Sequence, residues 1–261
     1  MPWTTLHWKS DVIGKATSAE VLLPTAGKPP FPVFYLLHGL SDDASVWMRH
    51  TRIEYYAREL PLVVVMPDGY RGFYTDNEAG PAFAKHIGVE LPAVIERHFR
   101  VKATRAGRAI GGLSMGGYGA LRIGLGYPGR FCSVNAHSAA VGLDRLRGRA
   151  DYRRAAREHE MPPSLVAELQ RIFGLAPRGT SHDLVQLARR AQRARRLPRL
   201  LLDCGTEDYL IGQNRELHAS FNRAKIPHLY REFPGRHDWD YWDLHVREAL
   251  EFHSRNLGAI R

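Results

Sequence analysis

The sequence predicts an α/β protein, one mainly parallel sheet covered by helices on both faces. Three observations carry that reading. Pro32–Leu37 (PVFYLL) and Pro61–Met66 (PLVVVM) are continuous apolar runs without polar alternation, which suits parallel strands buried on both sides. Longer stretches with helical spacing separate such runs, so strand and helix alternate along most of the chain. At 261 residues the chain supports one sizeable core and is short for two.

Near the start, Thr4–Ser10 and Thr17–Leu23 read as two antiparallel strands turning through Gly14. The two apolar runs follow, stopping at His38-Gly39 and at Pro67-Asp68-Gly69. Helical patterns cover Ala44–Leu60 and Ala82–Phe99, the second with Ile87, Leu91, Ile95 and Phe99 at fourfold spacing. Pro92 within it predicts a kink or a later start. Arg108–Leu113 (RAIGGL) is a strand that runs directly into a helix over Met115–Leu125. Phe131–Ala136, Arg199–Cys204 and His228–Phe233 are further strands, and Asp240–Asn256 is a C-terminal helix. The rhythm breaks over residues 142–196, where Ser164–Phe173 and His182–Arg196 read as amphipathic helices, the second with Ser181 as N-cap. An insertion after a strand's C-terminal end lies where open α/β sheets bind ligands, so this segment is expected to be a helical cap within a single domain.

Composition narrows the function classes. With 44% hydrophobic and 25% charged residues the chain is that of an ordinary folded domain. No apolar run approaches the ~20 residues of a bilayer span. MPWTTLHWKSDVIGK has no apolar core or small-residue cleavage site, which predicts a cytoplasmic chain without a secretory leader. Cys132 and Cys204 have neither metal-ligand nor C-x-x-C spacing and read as two free thiols, with no metal expected. The formal charge is +10, and most of it is local: residues 141–200 hold fourteen arginines, no lysine and six acids. A distributed nucleic-acid surface would not concentrate its charge that way, so no nucleic-acid partner is expected. The segment reads as the solvated face of surface helices, or as a flap that favours anionic substrates or partners.

The strongest local signal is Gly112-Leu113-Ser114-Met115-Gly116, set between a strand and a helix. A serine hydroxyl attacks well only when a base takes its proton, so it must be exposed and fixed. A sharp strand-to-helix turn raises it above the sheet edge, and the crowding there demands small residues on both sides. The following helix aims its first N–H groups at the reacting centre. In this fold the acid and then the histidine follow the nucleophile along the chain. Downstream, LLLDCG is a strand with a glycine turn, and three carboxylates compete beside it: Asp203, Glu207 and Asp208. Asp203 lies within the strand, whereas Asp208 lies in the loop beyond it, where a triad acid belongs; Glu207 stands second. Among thirteen histidines, His237 follows the last strand in the loop PGRHDW. His137 also follows a strand but precedes the acid and is out of order. Ser114 is therefore the expected nucleophile, His237 the base and Asp208 the acid that orients it, with activity falling in acid as the imidazole protonates. The oxyanion of an acyl-transfer intermediate needs two N–H donors, here expected from Met115 and from Leu40 in the loop after PVFYLL. His38 is expected to shape that loop.

Together YLLHGLSDD, VVVMPDGYRGFYTD, AIGGLSMGGYGALRIGL, LLLDCGTEDYL and FPGRHDWDYW resemble the esterase D-like branch of the α/β-hydrolases. They spread from residue 35 to 242, and GLSMGGYGAL is particularly specific to this branch, with small bacterial tributyrin-type carboxylesterases the nearest likeness. The resemblance implies an α/β-hydrolase fold, a short-chain acyl ester substrate and no cofactor. It also implies that Tyr74 and Trp239 line the acyl or alcohol pocket, although either aromatic reads equally as a core residue. S-formylglutathione hydrolases of the same branch carry a cysteine-containing segment where this chain reads LSDDAS, which weakens a glutathione thioesterase reading. Acyl transfer to an alcohol would use the same residues, and a binding module for anionic partners is the non-enzymatic alternative. A homo-oligomer is compatible with all three.

Overall fold

The computed structural model describes residues 1–158 and 160–260. Eight strands form one sheet: β1 (Trp3–Ser10), β2 (Lys15–Leu22), β3 (Val33–Leu37), β4 (Val63–Pro67), β5 (Arg108–Gly112), β6 (Ser133–His137), β7 (Arg199–Gly205) and β8 (Leu229–Phe233). Their spatial order is β1-β2-β4-β3-β5-β6-β7-β8. β1 and β2 pair antiparallel, as does β2 with β4, and every other pair is parallel. The order reverses at β3 and β5, the place where open α/β sheets form their ligand crevice.

The apolar runs are continuous because both faces are covered. Along β3, Val33, Tyr35 and Leu37 enter one core, while Phe34 and Leu36 enter the other. The first core is closed by α4 (Leu91–His98), α5 (Met115–Gly126) and α8 (Leu184–Arg193). The second is closed by α1 (Val46–His50), α2 (Ile53–Ala57) and α10 (Trp239–Asn256). The helix expected over 44–60 is thus two short ones. They part where the Thr51 hydroxyl donates to Trp47 O and accepts from the Ile53 amide, giving the backbone an alternative to helical bonds.

The helix expected over 82–99 runs as α3 (Phe83–Lys85), a π-turn over His86–Glu90, and α4. The wide turn precedes Pro92, whose ring removes one donor from the continuous helical run and so favours the π-turn at that place. Both cysteines are free.

Between β6 and β7 stand three helices rather than two: α6 (Arg149–Glu158), α7 (Pro163–Phe173) and α8. The N-cap of α8 is Asp183, not Ser181; its carboxylate accepts the Gln186 amide, and the helix starts two residues later than the pattern suggests. The insertion is tied to the sheet on one side. Phe173 packs edge-on against Phe73 and Tyr118, and the Tyr118 hydroxyl donates to His182 O. Residues Glu78 and Ala79 donate backbone bonds to Ile172 and Arg171. Helix α9 (Ile211–Arg223) follows β7 and packs beside it. Among the described residues no helix is long and apolar enough to cross a membrane.

Candidate active site

Ser114 sits between β5 and α5 with φ 52° and ψ −116°, outside the regions L-residues favour. The turn is possible only because Gly112 and Gly116, two residues to either side, lack side chains. A Cβ on Gly112 would lie 2.7 Å from Leu37 O, and one on Gly116 would lie 2.6 Å from both Leu37 O and His38 O. Bonds from Ser114 N to His137 O (2.9 Å) and from Ala140 N to Ser114 O (3.0 Å) clamp the turn from the β6 side. A side chain on a residue so fixed has little freedom to lose.

Two further strand ends bring partners to it. The loops after β7 and β8 meet because Gly205 lets Gly235 approach: a Cβ there would stand 2.2 Å from Gly235 O. Glu207 N donates to Gly235 O across the same junction. The result joins residues far apart in sequence. His237 Nε2 lies 3.1 Å from Ser114 Oγ, and His237 Nδ1 lies 2.8 Å from Asp208 Oδ2. Asp208 is 2% exposed, and its other oxygen accepts the Leu210 amide at 2.7 Å. Burial pushes its carboxyl upward, but the His237 hydrogen bond and charge together with the Leu210 amide outweigh this and hold it below the ordinary carboxylate range. A carboxylate therefore faces Nδ1, which leaves Nε2 free to accept the serine proton.

The competing groups have other partners. Asp203 accepts from His137 Nδ1 and from the Tyr241 hydroxyl (3.0 Å). Glu207 is exposed and takes the Thr206 hydroxyl. His137 is fully buried and has no hydrogen bond to Ser114 through its ring.

Leu40 and Met115 lie with Ser114 on the wall of one cleft of about 970 Å³. Met115 opens α5, so its N–H has no intrahelical partner. Among the described residues no protein group accepts from the amides of Leu40 or Met115. The Leu40 loop is built by His38, whose Nε2 accepts the Gly69 amide at 2.9 Å. That fixes the proton on Nδ1, which donates to Gly39 O at 2.7 Å.

One expectation is corrected. Tyr74 does not line the cleft. It is fully buried, its ring pressed against Gly119 and Gly69, and its hydroxyl accepts from His38 N (3.0 Å) and donates to His38 O (3.2 Å). Trp239 is engaged by other rings, edge-on to Trp47 and Trp242 and stacked on His50. The rings beside the imidazole are instead Trp242 (4.8 Å, edge-on) and Tyr209 (4.5 Å). Tyr209 is 68% exposed and lines the cleft. Its signal in the sequence is adjacency alone, since it directly follows Asp208. Phe73, Met161, Leu165 and Leu169 complete the apolar wall, three of them from the insertion.

A serine raised on a strand-to-helix turn, at the edge where the strand order reverses, is the arrangement that defines the α/β-hydrolases, and this chain is one of them. It belongs to the family described as "Putative esterase", which matches residues 10–253. An acetyl esterase of Caldicellulosiruptor saccharolyticus is 31% identical, covering 96% of this chain and 97% of its own. Among solved structures, the fluorophosphonate-binding serine hydrolase FphF of Staphylococcus aureus superposes with TM-score 0.82 at 27% identity, over 97% of this chain and 98% of its own. The S-formylglutathione hydrolase FrmB of the same organism gives 0.80 at 26%, with the same coverage. The protein is a carboxylic ester hydrolase.

Proposed function

We propose that the protein hydrolyses short-chain acyl esters through a Ser114–His237–Asp208 triad. The observation that carries this is the unbroken chain of contacts from Ser114 Oγ through the imidazole to a buried carboxylate, 3.1 and 2.8 Å long. Ser114 Oγ attacks the ester carbonyl while its proton passes to His237 Nε2. The amides of Leu40 and Met115 receive the developing oxyanion, each contributing roughly 10²–10³ in rate. Collapse expels the alcohol, which takes the proton from His237. Water then repeats the sequence on the acyl-enzyme and frees Ser114 with the acid product. Asp208 holds the imidazole tautomer and its transient cation throughout. The insertion over residues 142–196 acts as a cap whose helices wall the acyl-binding cleft. Support for a small acyl group comes from the acetyl esterase relative.

The test is hydrolysis of p-nitrophenyl esters from acetate to octanoate by wild type and Ser114→Ala. Turnover of the short esters that vanishes in the variant supports the reading. Equal residual rates in both proteins remove Ser114 from the chemistry. S-formylglutathione belongs in the same panel, because the FrmB likeness favours a thioester as second reading and the same residues would cleave it.

A further inference from the structure

The cleft above Ser114 is chemically two-sided. Beside the serine its wall is apolar, from Leu40, Met115 and Ala140. Elsewhere six arginines stand against four acids, among further apolar residues. Arg145, Arg178, Arg189 and Arg223 reach the cleft from four separate segments: the turn after β6, the loop after α7, α8, and the end of α9.

The acids on the same wall offset only part of this charge, and they pair with arginines or with backbone. Asp151 and Glu158 serve Arg147 and Arg154, and Glu216 serves Arg145. The Asp183 carboxylate is spent on the amides of Gln186 and Gly179. Arg178, Arg189 and Arg223 therefore face the cleft without a carboxylate partner among the described residues. Two of the guanidinium groups are drawn to one neutral oxygen: Ser220 Oγ accepts from Arg223 at 2.8 Å and from Arg145 at 3.3 Å. Three arginines from three segments are thus left without a counter-charge among the described residues, and an oxyanion placed against them would fill their planar donor forks.

Resting on the esterase reading, we infer that this basic wall is an anion subsite. The enzyme takes esters that carry a carboxylate, phosphate or sulfate group away from the scissile bond. The ester carbonyl meets Ser114 on the apolar side while the anion is held by Arg178, Arg189 and Arg223. Hydrogen bonds to a charged group are worth about 1.5–3 kcal/mol, which corresponds to roughly 10- to 100-fold in specificity.

The experiment compares charged and neutral esters of matched length. One arm uses p-nitrophenyl monoesters of dicarboxylic acids, adipate to sebacate, against p-nitrophenyl alkanoates. The other uses the acetyl esters of 4-hydroxybenzoate and 4-hydroxybenzamide, so that the anion lies on the alcohol side. The expected result is a charged-to-neutral ratio of kcat/KM of about tenfold or more in one arm, shrinking as salt is added. The ratio should fall toward one in Arg178→Gln/Arg189→Gln/Arg223→Gln, and in the single variants in part. It should persist in Arg153→Gln/Arg157→Gln, which alters exposed arginines of α6 that do not line the cleft. Ser114-dependent turnover with neutral esters equal or better at every length in both arms overturns the subsite and leaves the esterase standing. A high ratio unchanged by the triple substitution overturns it too. Loss of Ser114-dependent turnover of every ester sinks the underlying reading instead.

Discussion

Replacing Tyr74 with phenylalanine removes one oxygen and strands two backbone groups. The phenol accepts from His38 N and donates to His38 O, and the residue is fully buried, so no water can take its place. Each orphaned group costs about 1–3 kcal/mol, and the lost phenol desolvation returns part of that, for a net destabilisation of about 2–4 kcal/mol. In a chain of this size that lowers the melting temperature by roughly 5–15 °C. The effect reaches catalysis because His38 adjoins the Leu40 loop. A loosened donor should reduce kcat by roughly 10–100-fold, short of the full loss of an oxyanion contact. Thermal unfolding and the p-nitrophenyl series together read both effects. The expected pattern is a lower melting temperature and a lower kcat for every ester, with the dependence on acyl length unchanged. A melting temperature within about 2 °C of wild type, or a selective change for one acyl length, would refute this reasoning and return Tyr74 to the substrate.

Asp208→Asn should lower kcat by roughly 10⁴-fold while Glu207→Ala changes it less than twofold, measured on one short ester. The depressed carboxyl of Asp208 contributes stability that is present above its unfolded value near 3.8 and is lost as pH falls through its lower folded value. Acid unfolding of Asp208→Asn, followed by circular dichroism, should therefore show a shallower limb below about pH 4. Asp144 is the opposite case: burial pushes its carboxyl up to about 6 against the pull of the Leu184 and Gly142 amides. Its contribution is full below about pH 4 and is lost as pH rises through about 6, so Asp144→Asn should gain on wild type in denaturant melts across that window. Arg71 forks onto Glu168 of α7 (2.8 and 2.7 Å) and reaches Leu40 O. As an exposed ion pair it is worth at most about 1 kcal/mol, so Arg71→Gln should barely shift the melting temperature yet lower kcat severalfold through the Leu40 loop.

What the sequence made legible follows from how local each signal is. Strands β3 and β4 are readable because burial on both faces leaves no polar residue to interrupt them. Ser114 is readable because the glycines around it are demanded within five residues of chain. Asp208 was one of three carboxylates until the β7 and β8 loops were in place, since contact with His237 depends on the Gly205–Gly235 approach. Helix α6 is not legible in the sequence because RADYRRAARE buries only Tyr152, so its apolar stripe is one residue wide. Tyr74 and Trp239 were placed by likeness and not by pattern. An aromatic residue near a site reads the same whether it faces substrate or braces the loop behind it, and only the hydroxyl's two partners tell these apart.

The backbone at Ser114 sets stability against chemistry at a single position. A non-glycine residue at φ 52°, ψ −116° holds strain of about 1–3 kcal/mol, which a glycine there would release. Ser114→Gly is thus expected to melt later than wild type although it has lost the proposed nucleophile. Directed evolution for heat resistance alone would drift toward such dead proteins, so any screen of this enzyme has to couple survival of the fold to turnover.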